Sequence, residues 1–269
     1  MRVITVPITY KYGDTIRIKF FQDLHIGSPL FDKTGFKNFL SDMDDKTYLI
    51  GNGDIFDMIL ATDPRYKKGV ENCTSEAIVD EQIDEGYQLL KPYADRIISI
   101  GIGNHEETIV KHNGTNPIRR LCEKLSTDTH KVEYLGMAWM IRLNMHEADK
   151  GRGRSIVVYG HHGYGGGTRT EGGSLTKFSK DLMYQDADIY LFGHVHEKLY
   201  KNIPRGYHGG TKYLSKDRLL IIGGCFKKNL TNDDTTTWEE TKGFPIRSIG
   251  GVSVHIKPTM DWVQMRAEA

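Results

Sequence analysis

Cysteine is scarce in this chain, and what there is follows no known spacing. Cys73, Cys122 and Cys225 are scattered and no CxxC occurs. That excludes a disulfide framework or a zinc ribbon and leaves free buried thiols in a reducing compartment as the expectation. Long apolar runs are also missing: no stretch approaches the ~20 apolar residues needed to span a bilayer. The first twenty residues, Met1 to Phe20, alternate apolar and polar side chains as strands do, unlike a signal peptide. The expected location is the cytoplasm, with no membrane partner. Charge of one sign is not in excess either. The net charge of +1 gives no whole-molecule field toward nucleic acid or acidic lipid, although a local basic patch stays open. There is no internal repeat, low-complexity tract or Pro/Ser-rich linker, which favours one domain over 1–269. Hydrophobic residues at 38% and charged residues at 26% fit a soluble globular protein. Nothing indicates an oligomeric state.

The chain does contain a series of short apolar runs that end in polar residues. Thr15 to Phe21 stops before Asp23, and Thr47 to Ile50 before Gly51-Asn52-Gly53-Asp54. Arg96 to Ile100 leads into Gly101-Ile102-Gly103-Asn104-His105, Ser155 to Tyr159 into Gly160-His161-His162, and Ala187 to Phe192 into Gly193-His194-Val195-His196. Each has strand length and strand-type residues. Helices are expected over Glu76 to Ala94 from its 3.6 period, over Pro117 to Leu125 behind an Asn116 cap, and over Leu175 to Tyr184 behind a Ser174 cap. After His196, Lys198 to Ile203, Arg218 to Ile222 and Val252 to Ile256 read as strands with no strong helix between them. Alternation first and strands later predicts mixed sheets with helices outside. Open α/β sheets bind ligands beyond the carboxyl ends of their strands, and five successive strand ends here carry Asp, Asn or His.

Those residues have metal-binding chemistry. Asp23 and His25 are two apart, and on an extended segment they point to the same side, where both could ligate one cation. Asp54 follows a strand between glycines and can give one carboxylate oxygen to each of two ions. Asp57 is a candidate for a hydrogen-bonded support or a helix cap. Asn104 offers a neutral oxygen. Its neighbour His105 can stay off the metal and serve a phosphate oxygen or a leaving group. Glu106 is expected to face solvent or to orient the loop. His161, His162, His194 and His196 supply imidazoles, the last two again at i and i+2. Oxygen and nitrogen donors without thiolate favour Mn, Fe or Zn. Two ions ~3.5–4 Å apart can clamp a phosphoryl group and acidify a bridging water.

The order Asp23-Leu24-His25, Gly53-Asp54, Gly103-Asn104-His105, His161-His162, Gly193-His194-Val195-His196 resembles the calcineurin-like metallophosphoesterase superfamily. The matching motifs span residues 23 to 196. The resemblance implies a four-layer α/β/β/α sandwich of two mixed sheets with flanking helices. It implies one metal held by Asp23, His25 and His196, a bridging Asp54, and a second metal held by Asn104, His194 and one of His161 and His162. His162 is preferred because the His-Gly step and the glycines after it look like a common form of that element. His105 would be the non-ligand acid or phosphate contact. Gln22 stands where glycine is more frequent, a departure expected to alter only local backbone freedom. The run Gly165 to Gly173 is similar to one in a poorly characterised branch of the same superfamily. It is read either as a surface loop or as backbone N–H groups facing an anion, with Arg169 and His161 as substrate contacts. It lacks the Gly-Lys-Ser/Thr ending of a nucleotide P-loop.

The expected function is therefore hydrolysis of a phosphate mono- or diester by a metal-bridging hydroxide, with two divalent ions, Mn foremost. The alternatives are a nuclease or nucleotide phosphodiesterase acting on DNA or RNA, and an inert protein-binding scaffold. Lys67-Lys68, Arg119-Arg120, Lys150 to Arg154 and Lys227-Lys228 read as solvated charges. The last quarter of the chain matches no motif.

Overall fold

The computed structural model describes residues 1–60, 63, 66, 78–149, 151, 153–170, 172–230, 237–260 and 262–269. Cys73, Lys67, Lys68, Glu76, Lys150, Arg152 and Glu171 lie outside the described residues.

Two six-stranded mixed sheets form the centre. The first joins β1 (Arg2–Tyr10), β6 (Ala138–Glu147), β7 (Gly153–His161), β8 (Ile189–Phe192), β10 (Lys212–Gly223) and β9 (Lys198–Gly209), in that spatial order. The second joins β12 (Val263–Glu268), β11 (Val252–Pro258), β2 (Ile16–Phe21), β3 (Thr47–Asn52), β4 (Ile97–Gly101) and the short β5 (Glu133–Tyr134). Within the second sheet β2, β3 and β4 run parallel, and within the first β7 and β8 do. All five strands that precede the candidate ligands are in these two parallel groups.

Period-two alternation sorts the core into layers. Ile18, Phe20, Val252 and Val254 of one sheet meet Ile141, Leu143, Val158, Ile189, Leu219 and Ile221 of the other. Alternate residues point outward. Leu49, Ile97 and Ile100 pack under α1 (Lys33–Leu40), α2 (Ile78–Leu90), α3 (Asn104–Asn113) and α4 (Pro117–Leu125), through Phe36, Ile83, Ile109 and Leu121. Tyr190, Phe192, Leu220 and Ile222 pack on Phe178 of α5 (Gly173–Ser179). The result is the four-layer α/β/β/α sandwich expected from the motifs.

Several local expectations need correction. The helix expected to reach Ala94 is α-helical only to Leu90. It tightens to a 3₁₀ turn over Lys91–Arg96, where Pro92 removes a backbone donor. Asn116 caps α4 as expected, its side chain accepting from Arg119 N. Ser174 is not a cap: it is buried in the first turn of α5, which starts behind Gly172. The α1 helix, the α3 helix and a five-residue α6 (Trp238–Lys242) were not legible. Among the described residues no helix is long and apolar enough to cross a membrane. Cys122 and Cys225 are buried free thiols.

Candidate metal centre

The ligand-bearing turns have unusual backbones. Among the described residues six non-glycines have φ in the left-handed region: Asp23 (49°), His25 (53°), Asp54 (48°), Met58 (48°), His194 (70°) and His196 (56°). Five of the six are candidate ligands, and each such residue costs roughly 1–3 kcal/mol. Main-chain bonds between the turns hold this strain. Asp23 N donates to Gly53 O at 3.0 Å, His25 N to Asp54 O at 3.2 Å, and Phe226 N to Asp23 O at 3.0 Å. Gly103 closes the same seam, since a Cβ there would collide with the Asp54 carboxylate. The expectation of extended segments with i and i+2 on one side is thus overturned. Asp23 and His25 do meet, but through left-handed turns, and His194 and His196 diverge to separate clusters.

The first cluster is Asp23, His25 and His196. Burial pushes His25 down to about 4 and His196 well below its ordinary value, so both imidazoles are neutral near neutral pH. Asp57, held below the usual carboxylate range by the His25 hydrogen bond despite burial, is an acceptor only. His25 Nδ1–H therefore donates to Asp57 Oδ1 at 3.0 Å, and His25 Nε2 presents its lone pair 3.1 Å from His196 Nε2. Asp23 Oδ1 lies 3.6 Å from that same His196 nitrogen. Convergent lone pairs, backed by a carboxylate on the far ring nitrogen, are the signature of a metal-ligating histidine.

The second cluster is Asp54, His162 and His194, with Asn104 among them. His162 Nε2 lies 3.2 Å from Asp54 Oδ2 and 3.1 Å from Asn104 Oδ1, and His194 Nδ1 lies 2.7 Å from the same Asn104 oxygen. Ligands held at about 2.1 Å and at right angles around an ion are roughly 3.0 Å apart, so these spacings fit a cation cage. His162 Nδ1–H donates to Asn52 O at 2.8 Å, which aims Nε2 inward. Burial alone would lower His162, but the Asp54 carboxylate overrides it and holds the ring up to about 10. Burial likewise works against Asp54, yet His162 and His105 keep it well below its ordinary value. Asp23 is raised well above the carboxylate range by burial, and the Asp54 charge adds to this. The clusters adjoin, since His194 N donates to both Asp23 oxygens, at 3.2 and 3.1 Å.

His105 is in neither of these clusters but converges with His25 and Asp57 in a third group of potential donors, its Nδ1 3.8 Å from Asp57 Oδ1. Its Nδ1–H donates to Asp57 O at 2.5 Å, its main-chain N donates to Asp54 Oδ1 at 3.0 Å, and its ring meets His25 edge-on at 4.6 Å. Of the doubled histidines, His162 is fully buried in the second cluster. His161 is half-buried with its ring against Tyr164 and Phe192, and its Nδ1 accepts from Gly163 N. Arg169 is exposed and donates to Lys242 O.

Glu106 keeps one of its two expected roles, and two other readings change. It orients the loop rather than facing solvent: it is fully buried and accepts from the N–H groups of Asp54, Phe56 and Gly103 at 3.1, 2.9 and 2.9 Å, tying the β3 and β4 turns together. Burial beside Asp54 raises it to about 7. Gln22 does more than alter backbone freedom. Its Nε2 donates to Phe192 O at 3.0 Å and its Oε1 accepts from Asn52 Nδ2 at 3.0 Å, bridging the two sheets beneath the clusters. Lys227 is not a solvated charge but a largely buried one, paired with Glu239. Asn52, Glu197 and Arg247 were also missed. Asn52, between two glycines at a strand end, carried a signal; Glu197 and Arg247 carried none.

No protein-family model matches the chain, and no curated protein matches it. Among solved structures it is similar to a metallophosphoesterase from Sphaerobacter thermophilus, at 15% identity over 94% of this chain and 89% of that one, with a TM-score of 0.37. It is similar to Vps29 from Chaetomium thermophilum, at 11% identity over 94% and 96% of the two chains, TM-score 0.37. A third is wild-type Vps29 complexed with zinc from Entamoeba histolytica, at 10% identity over 94% and 98%, TM-score 0.35. Likenesses of this size carry no activity, so the functional reading rests on the residues themselves.

Proposed function

We propose that this chain is a metal-dependent phosphoesterase of the calcineurin-like kind, hydrolysing a phosphate mono- or diester at a centre for two divalent ions. The observation that carries this is the convergence of two adjoining N/O donor clusters at five strand ends, on backbones strained to aim them. Asp23, His25 and His196 would hold one ion, and Asn104, His162 and His194 the other, with Asp54 between. When bound, the ions supply Lewis acidity at the phosphoryl oxygens and a water acidic enough to attack phosphorus at neutral pH. Donors without thiolate favour Mn, with Fe or Zn as alternatives. Cys225 stays out of the donor set, its Sγ facing the carbonyls of His196 and Lys227.

The chain's own residues do the positioning. Asp57 fixes the His25 tautomer and, through its carbonyl, the His105 ring. With Nδ1–H committed to that carbonyl, Nε2 is the atom His105 can turn on a phosphoryl or leaving oxygen. Glu106 keeps the Asp54 turn in place while the peptide N–H of His105 holds the Asp54 carboxylate. The buried thiols fit a reducing, cytoplasmic site of action.

Asp54→Asn and His194→Ala are expected to cut turnover of p-nitrophenyl mono- and diesters by orders of magnitude, with far-UV circular dichroism unchanged. Full activity in either variant, after removal of contaminating phosphatase, sinks the site. Fewer than one tightly bound ion per chain in Mn-supplemented protein would instead support an inert scaffold.

A further inference from the structure

Two cations from the last quarter of the chain flank the first cluster. The segment carrying Lys227 threads between ligand loops: Gly224 N donates to Glu197 O at 2.9 Å, and Phe226 N to Asp23 O at 3.0 Å. Arg247 lies against the glycine-rich loop, where a Cβ at Gly167 would collide with the guanidinium. The charges of Lys227 and Arg247 both bear on His196, and that of Lys227 also bears on His25 and Asp57. At His194 the charges that bear are those of His162, Asp54, Lys177 and His105. Arg247 pairs with Glu197, the residue after His196, and Lys227 follows Phe226, whose N–H is bonded to Asp23 O, so the two cations sit on the His196 side of the centre.

Among the described residues neither cation has a close carboxylate, although the Arg247 guanidinium lies over the Phe244 ring at 5.5 Å. Their side chains are only 17% and 9% exposed, and their partner carboxylates stand off, Glu239 at 3.6 Å from Lys227 and Glu197 at 3.7 Å from Arg247. Those separations exceed hydrogen-bond length. The other oxygen of each carboxylate, Glu239 Oε2 and Glu197 Oε2, is buried with no hydrogen-bond partner among the described residues. Largely buried charges are favourable only with close, well-directed pairing. Lys177 differs, because its ammonium is already bonded to the carbonyls of Tyr164 and Gly166. An anion with several oxygens beside His196 would give Lys227 and Arg247 the short charge-assisted bonds that their carboxylates do not.

We propose that Lys227 and Arg247 form an anion subsite flanking the Asp23, His25 and His196 cluster, and that it holds a second, non-scissile phosphate of the substrate. The substrate class is then a phosphate ester carrying at least two phosphates close together, whether a nucleotide or a nucleic-acid strand end. This deepens the phosphoesterase reading and rests on it. It also replaces Arg169 by Arg247 as the arginine that grips the anion.

The test is calorimetric titration of the Mn-loaded full chain with adenosine 5′-monophosphate and adenosine 3′,5′-bisphosphate, a pair differing by one phosphate. Wild type should bind the bisphosphate at least about tenfold more tightly, the size of one charge-assisted hydrogen bond. K227M and R247M should lose most of that preference while monophosphate affinity stays within about twofold; R169M should keep it. K227R and R247K, which retain the charge, should restore part of it, and they serve if the methionine variants fail to fold. A short oligonucleotide with a terminal phosphate, run alongside, separates the two sources; the variants must weaken whichever binds. A wild type with no bisphosphate preference, or variants that keep it, overturns the subsite. Hydrolysis without that preference overturns the subsite alone. Preference without hydrolysis of any phosphate ester overturns the phosphoesterase reading and leaves the subsite standing.

Discussion

Metal binding should expel protons, and the amount can be worked from His162. Its ring is held up to about 10 by the Asp54 carboxylate, against an ordinary value of 6.5. Near pH 7 it is protonated, and its Nε2 proton occupies the position a cation would take among Asp54, Asn104 and His194. A metal ligand must be the neutral ring. Removing that proton at about pH 7 spans roughly three pH units, on the order of 4 kcal/mol taken from the intrinsic metal affinity. Below the raised value proton and metal compete, and as pH rises toward it the competition fades. Apparent affinity should therefore climb about tenfold per pH unit between about pH 6 and 8 for each proton displaced. Without metal the same His162 proton stabilises the fold. That contribution is fully present below about 6.5, the unfolded value, and is lost as pH rises through about 10. The assay is isothermal titration with Mn at fixed pH in two non-coordinating buffers of different ionisation enthalpy, which counts protons directly. Wild type should release at least one proton per chain, and His162→Gln one fewer. No proton release, or an affinity independent of pH over this range, would refute the His162–Asp54 pairing as the resting state of the site.

Two further outcomes follow from the supporting residues. Glu106→Gln removes an acceptor from a group that serves three buried N–H donors. It should cost about 1–3 kcal/mol, or a fall of roughly 2–6 °C in Tm by scanning calorimetry, and an unchanged Tm would show that Glu106 does not hold the β3 and β4 turns. Asp57→Ala leaves His25 Nδ1 without its acceptor and should weaken the ion at the first cluster about 10–100-fold in a two-site titration, with less effect at the second. Equal weakening of both would count against the separate-cluster assignment.

Strand ends were legible because an apolar run that stops before an Asp, Asn or His, with glycine between at four of the five, is a local signal, and the runs ending before Asp23, Asp54, Asn104, His162 and His194 all formed strands. The α1 helix was not, because Lys33–Leu40 is short and its apolar residues, Phe36 and Leu40 among them, cover less than three turns. The choice between a solvent-facing and a loop-orienting Glu106 was not legible, because burial of a carboxylate depends here on three N–H groups from two different strand ends. The geometry behind Asp-x-His was misjudged too. Local reasoning treats i and i+2 as sharing a side, whereas hydrogen bonds from the β3 turn and from Phe226 hold Asp23 and His25 in left-handed conformations that no local preference selects.

Residue identity by itself determined the candidate donors of this protein: nitrogen and oxygen groups and their order along the chain. These are properties of side-chain type and strand-end position, so they do not depend on packing. Tertiary structure alone decided which donors share a cluster, why His162 rather than His161 is turned inward, and where Lys227 and Arg247 lie. The physical reason is that protonation state, backbone strain and charge pairing all depend on what is buried beside each group. Here the neighbours that set them come from strand ends and loops separated by up to two hundred residues, as in the Phe226–Asp23 bond.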